Sequence, residues 1–510
     1  MLDIQRRRTP SFYFLLTLPA TAMGFALSVQ ISVLSWILAT QYGLDIHEIG
    51  LVWAAGPMAG IIGQVAIGLI SDRLWIWNGR RRFFIIVGGV LAALMILALP
   101  AMGLISTALG LESVMGVAIA VALALDLAVN VGFNPTRSII ADVTEAGGER
   151  SRGYSWMQTV SGSFSLLAYA IGALLGNMAL IYFAVGLVLL FAVVPALLIA
   201  EPRPDEATGS PAASGDKVSF AGVMLMLSPL WAIAIYDVYA MAVRLAGTTP
   251  AGYGAEIACA AATALLIGHA LLSRSDGSTV PEFRKVLAAH SLSWIGIQSL
   301  FIYLVSFLQY RMPSLDTDGL GRTAALAFLA LNAVAALAPA LLLAPLARRY
   351  RRTHVHAGAL ALMAAAFLAA WTFVRAEPLL YALMAIAGVG WGAMVSMPFA
   401  IMSERVDGRR MGLFMGLFNL SVVLPQLVAS FGVGAFMSRV EDKGALFLVG
   451  AVAIGLSAIA WLFLRPRQAG NEGRSTRFDS GAAPTGDIPL SSLKDKSAIV
   501  YPPSSNSVTG

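Results

Sequence analysis

Apolar runs of about twenty residues recur along the chain, separated by short polar loops that hold most of the arginines. One such run crosses a hydrocarbon core of about 30 Å as a single helix. The pattern predicts spans at 12–39, 49–71, 83–106, 114–136, 154–177 and 179–200, then a polar linker from Glu201 to Lys217. Further spans are predicted at 221–245, 252–273, 286–309, 322–347, 355–374, 379–402, 412–437 and 444–464, about fourteen in all. From Arg465 onward Gly, Ser, Pro and charge dominate without periodicity, so a disordered tail is expected there. The expected fold class is an all-α membrane protein built as 6 + 2 inserted + 6 helices. Its parts are a bundle over 1–200, a cytoplasmic linker over 201–220, an inserted pair over 221–273, a second bundle over 274–466 and the tail over 467–510.

Charge tests that reading. Arg6 to Arg8, Arg80 to Arg82, Arg150 and Arg152, Arg348 to Arg352 and Arg409-Arg410 all fall in loops that face the cytoplasm if each run crosses once. Between Ala200 and Val286 the number of crossings must then be even, and the run lengths favour two. Both termini are expected in the cytoplasm of a cell-membrane protein. The start, Arg6-Arg7-Arg8 followed by SFYFLLTL, imitates a signal peptide, but the apolar run continues to Ala39 and reads as an uncleaved first helix. Composition agrees: 58% hydrophobic, 12% charged, mean hydropathy +0.77. A soluble chain carries about 25% charged residues. The net charge of +6 comes from topogenic loops and calls for no nucleic acid.

The segment Leu125 to Asp142, LDLAVNVGFNPTRSIIAD, carries the chemistry. Asp126, Asn130, Asn134 and Arg137 step by four, four and three, which sets them on one helix face. A carboxylate at bilayer depth costs about 2.5–3.5 kcal/mol on insertion scales, so such residues face cavities and handle ions or protons. Asp126 is the first candidate for energy coupling. The other reading is a structural polar contact between helices, with Arg137 as a partner and Asp142 also on helix four. Pro135 is expected to kink this helix after Asn134.

A second polar face stands on the fifth span, where Gln158, Ser161, Ser165 and Tyr169 share one side. Asn419 and Gln426 take the matching place in the second half, and Gln30 and Gln64 add amides. Amides and hydroxyls suit an uncharged polyol. Trp36, Trp53, Trp156, Trp294 and Trp391 are further contacts, each also readable as a packing or interface residue. In the inserted pair, Asp237 and Arg244 lie seven apart, with Glu256 and His269 following. They read as a second ion site or a partner-binding element, as mutual neutralisation, or as charge placed near the membrane surface. Cys259 is the single cysteine and reads as packing. His47-Glu48 lacks the second histidine of a zinc protease. No Walker loop or GxSxG pattern appears, so no enzyme is expected.

Two halves repeat. Gly68-Leu-Ile-Ser-Asp72-Arg73 and Gly79-Arg80-Arg81-Arg82 are matched by Ala344-Pro-Leu-Ala-Arg348-Arg349 and Tyr350-Arg351-Arg352. Pro135 to Gly153 likewise echoes Pro398 to Gly412. Parallel repeats place a substrate site at their interface near the midplane. Asp72, Arg73 and the Arg80 to Arg82 run suit a gate at a helix–loop junction, beside their topogenic role.

GxxxDR followed by GRRR resembles the loop signature of the major facilitator superfamily. Within it the chain resembles the sucrose and maltose symporters, the plant sucrose carriers and their bacterial relatives in the glycoside–pentoside–hexuronide cation symporter group. The matching segments are Trp53 to Gln64, Gly68 to Arg82, Leu125 to Asp142, Ala289 to Phe301 and Gly390 to Gln426. The resemblance implies proton-driven disaccharide import by alternating access, with Asp126 at the place of the family's protonated aspartate. It implies no cofactor beyond a proton gradient, and a sugar, protons and the bilayer as partners. Phe83 replaces a proline after GRRR, and the pair at 221–273 has no counterpart in the sugar carriers. A proton-linked exporter of another small molecule and a non-transporting membrane sensor or assembly factor are the alternative expectations.

Overall fold

In hydrocarbon no water satisfies the backbone, so each apolar run closes its own hydrogen bonds as a helix. A computed structural model of the chain describes residues 3–60, 74–145, 148–202, 220–246, 252–274, 279–406 and 411–464. Among the described residues the regular structure is all helical, apart from one isolated bridge between Ile76 and Gly79. Thirteen of these helices are long and apolar enough to span a membrane.

The first half runs through α1 (Pro10–Thr40), α2, which opens as Ile46–Trp53, α3 (Arg82–Ala108), α4 (Met115–Val143), α5 (Gly148–Leu175) and α6 (Asn177–Leu198). The inserted pair is α7 (Phe220–Arg244) and α8 (Gly254–Leu272). The second half is α9 (Thr279–Arg311), α10 (Thr317–Arg349), α11 (Arg352–Phe373), α12 (Glu377–Ser403), α13 (Leu413–Arg439) and α14 (Ala445–Leu462). The predicted span at 49–71 corresponds to α2, and its part beyond Gly60 lies outside the described residues.

Several helices outrun their predicted spans. α4 continues to Val143, α5 begins at Gly148 and α9 begins at Thr279. Apolar run length marks only the hydrocarbon crossing, whereas a helix carries on into polar surroundings while its charged side chains find partners. At the start of α9, Glu282 meets Lys285 at 3.7 Å and Arg405 at 3.5 Å.

Helix starts follow local capping chemistry. Thr9 Oγ1 accepts the Phe12 N–H at 3.3 Å, with Pro10 at the first helical position of α1. Asp45 and Glu48 close a capping box on α2. α3 is capped from a distance: the Glu201 carboxylate, just past α6, accepts the backbone N–H groups of Arg80, Arg81 and Arg82 at 2.8, 2.9 and 2.9 Å. An anion on three free N–H groups at a helix start is strongly placed. Glu201→Ala is therefore expected to destabilise the first bundle by about 1–2 kcal/mol. A lowered thermal midpoint in detergent checks this, and an unchanged midpoint contradicts it.

Within each half the same pairs pack: α1 on α5 and α6, and α3 on α4 and α6; then α9 on α13 and α14, and α11 on α12 and α14. The sequence repeat is thus a structural one. α3 and α4 approach closely at Gly88, where a Cβ would stand 2.7 Å from the Gly132 nitrogen and 2.8 Å from the Ala128 carbonyl.

The halves meet through α2 with α13, α5 with α10, and α1 with α9 and α10. Trp36 Nε1 donates to the Thr317 carbonyl at 2.8 Å, and Ser35 Oγ to the Ile302 carbonyl at 2.6 Å. Gly50 of α2 sits against Tyr303 and the Ser430 backbone. Each of these contacts lies toward the end away from the arginine-rich loops. At the arginine-rich end, Arg80 and Arg81 hold Asp142 at 3.3 and 3.0 Å, and Arg8 holds Glu145 at 3.1 Å and also Glu149. Arg352 pairs with Glu404. Each of these ion pairs stays inside one half, so none of them ties the halves together there.

The inserted pair packs on the second half, α7 against α13 and α8 against α9. Only 11% of the α8 span is buried, so most of that helix faces lipid.

Candidate functional site

Six helices place polar groups around a central cavity of about 350 Å³ between the halves, within the usual size range for ligand pockets of roughly 300–1,000 Å³. Gln30 of α1, Trp53 and Gly56 of the α2 region, and Asp126 and Asn130 of α4 form one wall. Trp294, Gln298 and Phe301 of α9, Trp391 of α12, and Asn419 and Gln426 of α13 form the other.

Asp126 is 8% exposed. Its Oδ2 accepts a hydrogen bond from Gln30 Nε2 at 2.9 Å. The backbone of Gly56 closes over the same carboxylate, since a Cβ there would lie 2.8 Å from Oδ2. One turn along α4, Asn130 Nδ2 donates to the Asp126 carbonyl at 2.8 Å. Among the described residues lining the cavity, Asp126 alone has an ionisable side chain. Gln426 Nε2 donates to Gln298 Oε1 at 3.1 Å on the opposite wall.

The aromatic residues are held from behind. Trp391 Nε1 donates to Asn332 Oδ1 at 3.1 Å, and Asn332 in turn donates to the Phe328 carbonyl at 2.9 Å. Trp294 Nε1 donates to His290 Nε2 at 3.0 Å, and Trp53 Nε1 to Ser35 Oγ at 2.8 Å. The Trp391 ring stands edge-on to Trp294 at 5.9 Å and to Phe301 at 5.5 Å between centroids. With their N–H groups engaged elsewhere, these rings offer apolar surface to a ligand, while the amides offer donors and acceptors. The arrangement suits a neutral, hydroxyl-rich molecule with apolar C–H faces, next to one carboxyl group that can gain or lose a proton.

Of the residues picked from the sequence, the cavity brings together Gln30, Trp53, Asp126, Asn130, Trp294, Trp391, Asn419 and Gln426. Asn134 is half-buried one turn beyond Asn130 and is not among the lining residues. Gln158 is exposed on α5. Tyr169 is buried at the contact of α5 with α10, its ring 5.9 Å from Phe328. Arg137 lies over the Phe133 ring at 4.3 Å, and the side chain that donates to Asp126 is instead Gln30, on another helix. Pro135 sits inside α4, which continues as a helix to Val143.

Gln64, Gly68, Asp72 and Arg73 lie outside the described residues. Gly79 closes the small bridge with Ile76, and Arg82 donates to the Ile199 carbonyl at 2.9 Å. Together with the Asp142 pairs and the Glu201 cap, the Gly79 to Arg82 segment binds α3 to α4 and α6.

In the inserted pair, Asp237 is 5% exposed and neither of its carboxylate oxygens has a hydrogen-bond partner. Arg244 donates to the Phe431 carbonyl at 3.2 Å and lies 4.5 Å over that ring. Mutual neutralisation is therefore absent among the described residues. Seven residues rise about 10 Å along a helix, and Arg244 reaches onward toward the helix end.

Gln298 and Phe301 line the cavity without having been singled out, and Asn332 and His290 support it from behind. The signal was present for Gln298: it stands near the depth in α9 that Gln30 occupies in α1, inside a segment already matched to the sugar carriers. Asn332 and His290 act only through the side chains they orient, and sequence spacing does not show that.

The family model described as Major Facilitator Superfamily matches residues 16–430 and 299–501. The chain is similar to the sucrose transport protein SUC4 of Arabidopsis thaliana, 25% identical over 497 residues that cover 88% of each chain. It is also similar to the general alpha-glucoside permease of Schizosaccharomyces pombe, 27% identical over 176 residues, 31% of this chain and 32% of that one. A solved auto-inhibited peptide transporter of the POT family shares the fold, with a TM-score of 0.61, 15% identity, and coverage of 91% of this chain and 99% of that one. The chain is thus a multi-pass membrane transporter rather than an enzyme, and it belongs to the major facilitator superfamily.

Proposed function

We propose that this protein imports a neutral disaccharide of the sucrose or maltose class together with a proton, by alternating access across the cell membrane. The observation that carries the reading is the central cavity, where one buried carboxyl group stands among amides and oriented aromatic rings. The similarity to a sucrose transport protein and an alpha-glucoside permease supports the sugar class. With the arginine-rich loops in the cytoplasm, as the charge bias of short loops favours, the contacts between halves lie on the outer side. This conformation is then the inward-facing one. Asp126 takes its proton with the sugar from outside in the opposite, outward-facing state and releases both inward in this one.

The direct test is counterflow of labelled sucrose and maltose in proteoliposomes. Exchange of either sugar above empty liposomes is expected, and exchange of neither contradicts the sugar reading and favours an exporter of another small molecule. Gln298→Ala removes an amide of the second-half wall and leaves its partner Gln426 unpaired. It is expected to weaken sugar affinity about tenfold, or 1.4 kcal/mol. Unchanged affinity would place the sugar elsewhere in the cavity.

A further inference from the structure

A second cavity, of about 680 Å³, lies between α8 and the second bundle and shares no lining residue with the central one. Its α8 wall is a stripe at helical spacing: Cys259, Thr263, Ile267 and Leu271, with Ala264 and Gly268 beside them. Ile295 of α9 and Leu456 of α14 face that stripe from the bundle. A side chain built on Gly268 meets nothing within 4 Å, so the cleft has room at that turn of α8. From Glu256 to Leu271 the wall extends fifteen residues, about 22 Å, through most of a hydrocarbon core of about 30 Å. An apolar slot of that length inside a bilayer fits a hydrocarbon chain.

The mouth of the cleft has a different chemistry. Arg439 is exposed there, its guanidinium 4.7 Å over the Tyr253 ring. Glu256 also lines the mouth, and its Oε2 is buried without a hydrogen-bond partner. A carboxylate oxygen shielded from water with no donor is costly. A guanidinium matches phosphate oxygens, and an ammonium with N–H groups supplies the donor that Glu256 lacks. One molecule carries all three parts.

We propose that this cleft binds one phospholipid with a primary ammonium head group, of the phosphatidylethanolamine type. Its acyl chain lies along α8, its phosphate on Arg439 and its ammonium on Glu256. A choline head group has no N–H to offer Glu256, so the site discriminates between the two zwitterionic lipids. α13 lines the central cavity with Asn419 and Gln426 and the cleft with Arg439, so one helix touches both sites.

The test uses the full chain, purified in detergent and incubated with an equimolar mixture of phosphatidylethanolamine, phosphatidylcholine and phosphatidylglycerol, with bound lipid counted by native mass spectrometry. A single-lipid adduct is expected, with phosphatidylethanolamine favoured over phosphatidylcholine about fivefold. Glu256→Gln is expected to bring that preference to within about twofold, and Arg439→Gln to reduce all three adducts about fivefold. Gly268→Leu fills the slot with a better helix former and is expected to lower total lipid about fivefold; Ala264→Phe is the second filling variant should the first prove unstable. The proposal is overturned if the wild type retains no lipid, binds the three lipids equally, or carries a second polypeptide in the cleft. It is equally overturned if both filling variants hold lipid as the wild type does. The readout does not involve sugar transport, so it stands apart from the proposed function.

Discussion

Asp126→Asn is expected to abolish uphill sugar uptake, and its dependence on pH, while sparing downhill exchange. Asparagine keeps the size of the side chain, which the Gly56 backbone restricts, and its Oδ1 can still accept from Gln30. What it loses is the proton. The wild-type carboxyl group is nearly sealed, and an ionised carboxylate at bilayer depth costs about 2.5–3.5 kcal/mol, offset in part by the Gln30 donor. On the proposed function, loading a proton from outside removes that cost and allows the occupied protein to reorient. A membrane potential adds about 2.3 kcal/mol per charge per 100 mV, enough for roughly fiftyfold accumulation. The measurement is labelled-sugar accumulation in energised vesicles, with and without a protonophore. The variant should reach only the external concentration. If it still concentrates sugar and the protonophore still collapses the gradient, the coupling group lies elsewhere, and the unpartnered Asp237 of α7 is then the next carboxyl group to replace.

Gly50→Val should hold the protein with its far end open. Gly50 lies where α2 meets the second half, and a Cβ there would stand 2.5 Å from the Ser430 carbonyl and against the Tyr303 hydroxyl. Neither neighbour can retreat. Tyr303 is fully buried and donates to the carbonyls of Ala429 and Ser430, both at 3.1 Å, in a π-helical stretch of α13. Overpacking of this kind costs typically 1–3 kcal/mol. Applied to one of two alternating states, it shifts their ratio about 5–150-fold. Sugar binding should survive, because the central cavity is not touched, while counterflow should fall by about an order of magnitude. Spin labels at His47→Cys and Ser438→Cys, in a Cys259→Ala background, should report a longer separation than in the parent. An unchanged distance distribution with counterflow within about twofold of the parent would show that this contact does not set the equilibrium.

The amino-acid sequence by itself determined which stretches cross the membrane and what α4 offers. Span length, the obligation to satisfy backbone groups in hydrocarbon and the loop arginines are all local properties. So is the four-residue step from Asp126 to Asn130 that puts both on one face. Which way such a face turns is not local. The fifth-span stripe shows this: Gln158 is exposed and Tyr169 is buried at the joint with α10, although their spacing is as regular as that of α4. Periodicity defines a stripe, and only packing against neighbouring helices decides whether that stripe meets a cavity, another helix or lipid.

Partners were likewise settled by tertiary structure. The donor to Asp126 comes from 96 residues away, the acceptor for Gln426 from 128, and the cap of α3 from beyond α6. Arg137, near Asp126 along the chain, stacks on Phe133 instead, because eleven residues of helix rise about 16 Å. A residue's chemical type is written in the chain, but its hydrogen-bond partner depends on which helices the fold brings side by side.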